Sequence, residues 1–186
     1  MKTIALPTPR EMALPLGQTL AQRRSLRSFS QAPLTDTELA TLLWATAGET
    51  TSDGKRTAPS CLNLRAVSVF VLRADGAWRY EAAKHQLIQI TETDLRAAST
   101  KMQHQFVDHA PVSLVFVAEK TPRTAMATPF LFLDAGAMVE NAALATTALG
   151  LAGVPRGSVD GPALGRLMKL PATYEPIFCF TVGHPA

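Results

Sequence analysis

The stretch from Pro129 to Leu149 constrains this chain most. It is the longest helical pattern in the sequence, rich in Ala and Gly, with Ala137, Asn141, Ala145 and Ala148 recurring at helical spacing. Alanine is the strongest helix former. Small residues along one side let a second backbone come close. A helix of this kind belongs at the centre of a domain or in a subunit interface. Gly150-Leu151-Ala152-Gly153 closes it.

The remaining elements are arranged around that helix. Thr35 and Glu38 form a capping box, and Leu34 and Leu39 stand where a hydrophobic staple would. The helix they open carries Leu39, Leu42, Leu43 and Thr46 on one side and stops at Gly48. Val67 to Arg73 and Pro111 to Ala118 are apolar runs that read as buried strands. Asp75-Gly76 signals a turn, with Trp78 to Glu81 as the returning strand and Gln86 to Thr91 as another. Gly17 to Arg23 reads as a short helix, Glu49 to Thr57 as a loop, Thr93 to Phe106 as a helix, Asp160 to Leu170 as a short helix closed by Pro171, and Ile177 to Val182 as a last buried strand. Residues 1–14 are Pro-punctuated and are expected to form an extended arm draped over another surface. Strands mixed with helices and one hairpin indicate a mixed α/β domain. No repeat, low-complexity tract or linker divides the chain, so residues 1–186 read as one domain.

Composition excludes several classes. A formal charge of +3 is too small to indicate nucleic acid and suits anionic small molecules. Only 18% of residues are charged, which is easiest to explain if much surface is hidden in an oligomer. Cys61 and Cys179 are far apart, show no metal spacing, and point to a reducing, cytoplasmic setting. No run is long enough for a signal peptide or a membrane span. Neither a Walker loop nor a dinucleotide G-x-G-x-x-G occurs, nor a G-x-S-x-G elbow. His104 and His109 have no ligating company, so no metal site is expected, and Asp108 beside His109 reads as a solvated helix end.

Three local features could build a site. Arg23-Arg24-Ser25-Leu26-Arg27-Ser28-Phe29 gathers three guanidinium groups, whose planar donor forks suit phosphate. If it is extended, Arg23, Ser25 and Arg27 share one face and Arg24 and Leu26 the other. Pro59-Ser60-Cys61-Leu62-Asn63-Leu64-Arg65 offers a fixed turn, a hydroxyl and an amide that donates and accepts. Val154-Pro155-Arg156-Gly157-Ser158 lets the backbone approach a ligand at Gly157. Each also has a plain reading: a solvated basic surface, a loop satisfying its own backbone, and a connection between helices. Cys61, with arginines near it in sequence, reads as a nucleophile or as a small buried side chain.

In order and spacing, these features resemble the nitroreductase family of FMN-dependent oxidoreductases, from about Leu16 to Pro185. The basic run matches its opening R-R-S-x-R-x-F, and Pro59 to Asn63 its P-S-x-x-N. Asp134-Ala135-Gly136 with Asn141 matches the D-x-G-x-x-x-x-N of its central helix. Gly150-Leu151 and Gly183-His184-Pro185 match later landmarks. Gly76 to Tyr80 followed by His85-Gln86-Leu87 is similar to the branch related to azoline-oxidising dehydrogenases. The resemblance implies an α+β fold, with a mostly antiparallel central sheet flanked by helices, in an intertwined homodimer with FMN at the subunit interface. It implies that Arg23 and Ser25 hold the phosphate and ribityl oxygens; where the family's closing basic residues are missing, Arg24 or Arg65 is expected to share the phosphate. Arg27 would lie near flavin N1 and the C2 carbonyl. Pro59, Ser60, Cys61 and Asn63 would come from the partner, and Arg156-Gly157 would lie near N5. Hydride would pass from NAD(P)H through N5 to a nitroaromatic, quinone or similar acceptor, with Arg27 and Gly157 as supporting groups and no catalytic acid or base. A flavin carrier or redox sensor without turnover is the alternative. Three departures stand out. The chain ends at Ala186 without the basic residues that often follow the last strand, Glu140 replaces a common Gln, and the span from Ala110 to Pro129 is too short for an inserted lid.

Overall fold

The computed structural model describes residues 2–125 and 128–186. The first residue of the arm and two residues of the span from Ala110 to Pro129 lie outside that set. The described residues form one antiparallel sheet of seven strands in the order β1-β4-β3-β2-β5-β7-β6. The strands are β1 (Thr3–Ala5), β2 (Val67–Arg73), β3 (Gly76–Glu81), β4 (Gln86–Thr91), β5 (Val112–Glu119), β6 (Ala152–Arg156) and β7 (Tyr174–Gly183). The helices are α1 (Leu16–Gln22), α2 (Asp36–Ala47), α3 (His104–Val107), α4 (Pro122–Ala125), α5 (Thr128–Ala148) and α6 (Gly161–Leu167). This is the α+β architecture that the resemblance implies.

The two-residue period of a strand decides how the layers form. Val67, Val69 and Val71 of β2, with Leu114 and Phe116 of β5, face a large core beneath α2 and α5. Their neighbours Phe70, Leu72, Val115 and Val117 face a smaller core with Leu164 of α6. Both strands are buried on both faces, which is why they read as continuous apolar runs. The cap of α2 is as expected: the Glu38 amide donates to Thr35 Oγ1 and the Thr35 amide donates to Glu38 Oε2. Gly150, at φ +72, ends α5, and the Leu151 amide reaches back to the Thr146 carbonyl.

Three expectations need correction. Thr93 to Phe106 is not one helix: only a 3-10 turn at Ala97–Ser99 and the single turn α3 form there. Arg96 clamps Asp94 and donates to the Ala110 carbonyl, and the Thr100 hydroxyl accepts the Gln103 amide, so local bonds compete with helix. Ala152–Arg156, read as the end of a helix and a loop, is an edge strand on β7. Its Pro155 is tolerated because an edge strand does not need every amide. The arm adds a strand too, since β1 pairs with β4 and the His85 ring bridges the Tyr80 hydroxyl and the Pro7 carbonyl.

Candidate functional site

The basic run leaves α1 at Arg23, whose φ of −52 and ψ of 123 end the helix. It then lies beside the edge of the sheet. The Leu26 amide donates to the Gly153 carbonyl, Phe29 bridges Pro185, and the Ser30 amide donates to the His184 carbonyl. Phe29 is buried against Phe106, which pins the run. Arg24 donates to the carbonyls of Ala21 and Arg23. Among the described residues, the guanidinium groups of Arg23 and Arg27 have no hydrogen-bond or carboxylate partner. Arg27 and Ser25 are exposed, and Arg23 is half-buried.

A cavity of about 170 Å3 opens next to this run, walled by Arg23, Arg24, Leu26, Thr146, Thr147 and Gly150 among others. Arg23 shares it with Arg24 and Leu26, so the simple alternation starts only after the helix has ended at Arg23. The Thr146 hydroxyl is buried and lacks a partner among the described residues. A buried hydroxyl with nothing to bond carries a free-energy penalty. Two cations and an unpaired hydroxyl around one small cavity suit a phosphate group.

The second feature is held by a residue whose role the sequence did not reveal. Asp134 on α5 is buried, accepts from the Ser60 hydroxyl at 2.7 Å and from the Cys61 amide at 2.9 Å. Ser60 Oγ in turn accepts the Arg65 amide at 2.8 Å, and Arg65 Nε donates to Asn63 Oδ1 at 2.8 Å. Within this turn Leu62, Asn63 and Arg65 have φ of 52, 53 and 51, the left-handed region. Non-glycine residues in that region cost on the order of 1 kcal/mol each, so the anchor on α5 holds a conformation that the turn would not keep alone. Cys61 is half-buried, and Pro59 and Asn63 are exposed. The available signal was a lone carboxylate at core spacing, between Leu131, Ala135 and Met138, since a buried charge demands partners.

The third feature divides in two. Arg156 is 1% exposed, and its guanidinium is committed to the interior. It donates to Thr181 Oγ1 at 2.7 Å, Ser99 Oγ at 2.8 Å and the Ser158 carbonyl at 3.1 Å. Burial lowers its pKa from the usual arginine value. Gly157 is exposed, and its amide has no partner among the described residues. Cys179, against the same arginine, is fully buried, which pushes its thiol up to about 11 and leaves it protonated at neutral pH. No group of three or more His, Cys, Asp or Glu among the described residues could hold a metal ion.

A single chain does not bring the first two features together. The basic run meets α5 near Thr146, and the Ser60 turn meets it at Asp134. At a rise of 1.5 Å per residue these points lie about 18 Å apart along the helix. Helix α5 exposes Phe132 and Leu133 just before Asp134, and α1 exposes Leu16 and Leu20. A cavity of about 520 Å3, walled by Met12, Trp44, Asn141 and Leu144 among others, opens beside them. The stripe of Ala137, Asn141, Ala145 and Ala148 lies at the border of this apolar face.

An antiparallel sheet with one long helix across it, and cationic and hydrogen-bonding features at the two ends of that helix, defines an α+β protein of the nitroreductase type. The family model described as the nitroreductase family matches residues 20–184, and the chain belongs to that family. It is an oxidoreductase of that kind. A crystal structure of a nitroreductase-family protein from Ralstonia eutropha is 37% identical, covers 100% of this chain and 90% of its own, and superposes with a TM-score of 0.90. A nitroreductase-family protein of Methanocaldococcus jannaschii is 26% identical over 98% of this chain and 97% of its own length. The FMN reductase [NAD(P)H] of Bacillus subtilis is 26% identical over 91% of this chain and 65% of its own length. No helix among the described residues is long and apolar enough to cross a membrane.

Proposed function

We propose that this protein is an FMN-dependent NAD(P)H oxidoreductase that works as a homodimer, a single domain per chain, in the cytoplasm. The observation that carries this reading is the split of the site along α5. Two copies related by a two-fold axis, with their α5 helices antiparallel, would lay the basic run of one against the Ser60 turn of the other. The same packing would cover Phe132, Leu133, Leu16 and Leu20. The unpaired thiols of Cys61 and Cys179 suit a reducing compartment.

The residues present fit an FMN. Arg23 and Arg24, with the unpaired Thr146 hydroxyl, offer charge-assisted contacts to a phosphate. Ser25 can bond the ribityl chain. Arg27, exposed and without a carboxylate, can stabilise negative charge at the pyrimidine end of the ring. Gly157 has a spare amide for N5, and Arg156 acts from inside by fixing the strand that ends beside it. Pro59, Ser60 and Cys61 shape the turn that presents Asn63 and Arg65. When bound, FMN supplies the hydride chemistry between a reduced nicotinamide and a nitroaromatic, quinone or similar acceptor.

The test is direct. Protein purified with FMN, or incubated with it, should show a flavin spectrum that NADH or NADPH bleaches in the absence of oxygen and that an added quinone or nitroaromatic restores. Bound FMN that neither coenzyme bleaches would make this protein a flavin carrier or sensor instead. Failure to bind FMN would refute the assignment.

A further inference from the structure

The loop at 49–57 and the turn at 59–65 enclose a cavity of about 220 Å3. Its charged wall consists of Lys55, Arg56 and Arg65, all cations. Two carboxylates stand close by: Asp53 lies 3.6 Å from Lys55, and Glu49 acts electrostatically on Arg56. Neither lines the cavity.

Two features mark it as more than a patch of surface charge. The Nε of Arg56 is buried and has no partner among the described residues. Burial also lowers the pKa of Arg56, a penalty that an anion would relieve. The Arg65 guanidinium, aimed by Asn63, lies across Gly54 so closely that a Cβ there would stand 2.7 Å from its Nη1. Gly54 has a φ of +78, so glycine serves both the turn and the close approach. A phosphate group is the ligand that three cations lining one cavity would recognise.

We propose that this cavity is a phosphate-monoester subsite that takes the 2′-phosphate of NADPH and makes the protein prefer NADPH to NADH. The inference rests on the reading above that turn 59–65 borders the flavin. A dinucleotide whose nicotinamide reaches that flavin must lay its adenosine half on nearby surface. The terminal phosphate of FMN has the same chemistry. In the reading above its seat is the Arg23, Arg24 and Thr146 cavity, a separate cavity that the two-fold packing brings against this turn, and the assays below tell the two seats apart.

Two measurements test this. In calorimetric titrations, adenosine 2′,5′-bisphosphate should bind the protein at least about tenfold more tightly than 5′-AMP, the discrimination expected of one or two charge-assisted contacts. Lys55→Met should remove most of that difference and Lys55→Arg should restore it. In steady-state assays Lys55→Met should lower kcat/KM for NADPH by about tenfold and leave NADH within about twofold, with bound flavin unchanged. Equal affinity for the two nucleotides would overturn the subsite. So would a Lys55→Met protein that loses flavin and keeps its coenzyme preference, since the cavity would then hold the phosphate of FMN. Protein that binds no flavin yet prefers the bisphosphate would retain the subsite and overturn the cofactor reading alone.

Discussion

Replacing Asp134 by Ala should unfasten the Ser60 turn from α5. The substitution removes two hydrogen bonds to a buried carboxylate, from the Ser60 hydroxyl and the Cys61 amide. Bonds to a charged acceptor contribute about 1.5–3 kcal/mol each. Because they share one acceptor at the base of a partly exposed turn, the lower end applies, giving about 3 kcal/mol. Alanine in place of aspartate inside a helix returns about 0.6 kcal/mol. The net loss is about 2.5 kcal/mol, which for a chain of this size lowers Tm by about 5–10 °C. Asp134→Asn should lose about half as much, because its amide can still accept one of the two donors. Thermal melts followed by circular dichroism give the shift, and hydrogen exchange across residues 59–65 reports the turn itself. The left-handed Leu62, Asn63 and Arg65 should relax and exchange faster in Asp134→Ala. A melt within about 1 °C of the parent, with unchanged exchange in the turn, would show that Asp134 is not the anchor.

Other outcomes follow from the same geometry. Gly153→Ala should destabilise by about 1–3 kcal/mol by overpacking, because its Cβ would meet Phe180 Cζ at 2.6 Å and Thr146 Cγ2 at 2.9 Å; urea unfolding measures it. Arg23→Ala should weaken FMN binding by about tenfold or more through loss of a charge-assisted contact, whereas an unchanged dissociation constant would put the phosphate elsewhere. Hydrogen bonds from Arg73 hold the Asp75 carboxyl below its usual range, and Arg96 does the same for Asp94. A depressed folded-state pKa means that these pairs contribute fully above the unfolded aspartate value of about 3.9 and lose that contribution as pH falls through the folded values. The urea midpoints of the parent and Asp75→Asn should therefore differ at pH 6 and converge as the pH falls through the lowered folded-state pKa of Asp75; a gap that persists once both states are protonated would contradict the assignment.

Local signals were legible wherever they had no long-range competitor. The Thr35 and Glu38 cap, the two-sided burial of β2 and β5 and the glycine stop at Gly150 all stand in the sequence as they do in the fold. The misread elements depend on partners distant in sequence. Ser99 sits in a broken helix because it bonds to Arg156, and the arginine turns inward because Ser99 and Thr181 wait there. The strand β6 has only Val154 to announce it between glycines and a proline, and its identity comes from β7. In the candidate site, the basic run and the Pro59 to Arg65 turn were visible as residue types. That Asp134 holds the turn across 74 positions of sequence was not. Nor could spacing tell that the two features meet α5 at separate ends.

The central claim is that each flavin is held by residues of two chains, and a mixing experiment measures it. One variant would carry Arg23→Ala and Arg27→Ala, the other Asn63→Ala and Arg65→Ala. Each alone should bind little FMN, because both sites of its dimer are damaged. When the two are unfolded and refolded together in equal amounts, half of the dimers should be mixed, each with one intact site. Bound flavin should then recover to about a quarter of the parent value. Flavin that stays at the level of the separate variants after mixed dimers have been verified would contradict a site shared between chains.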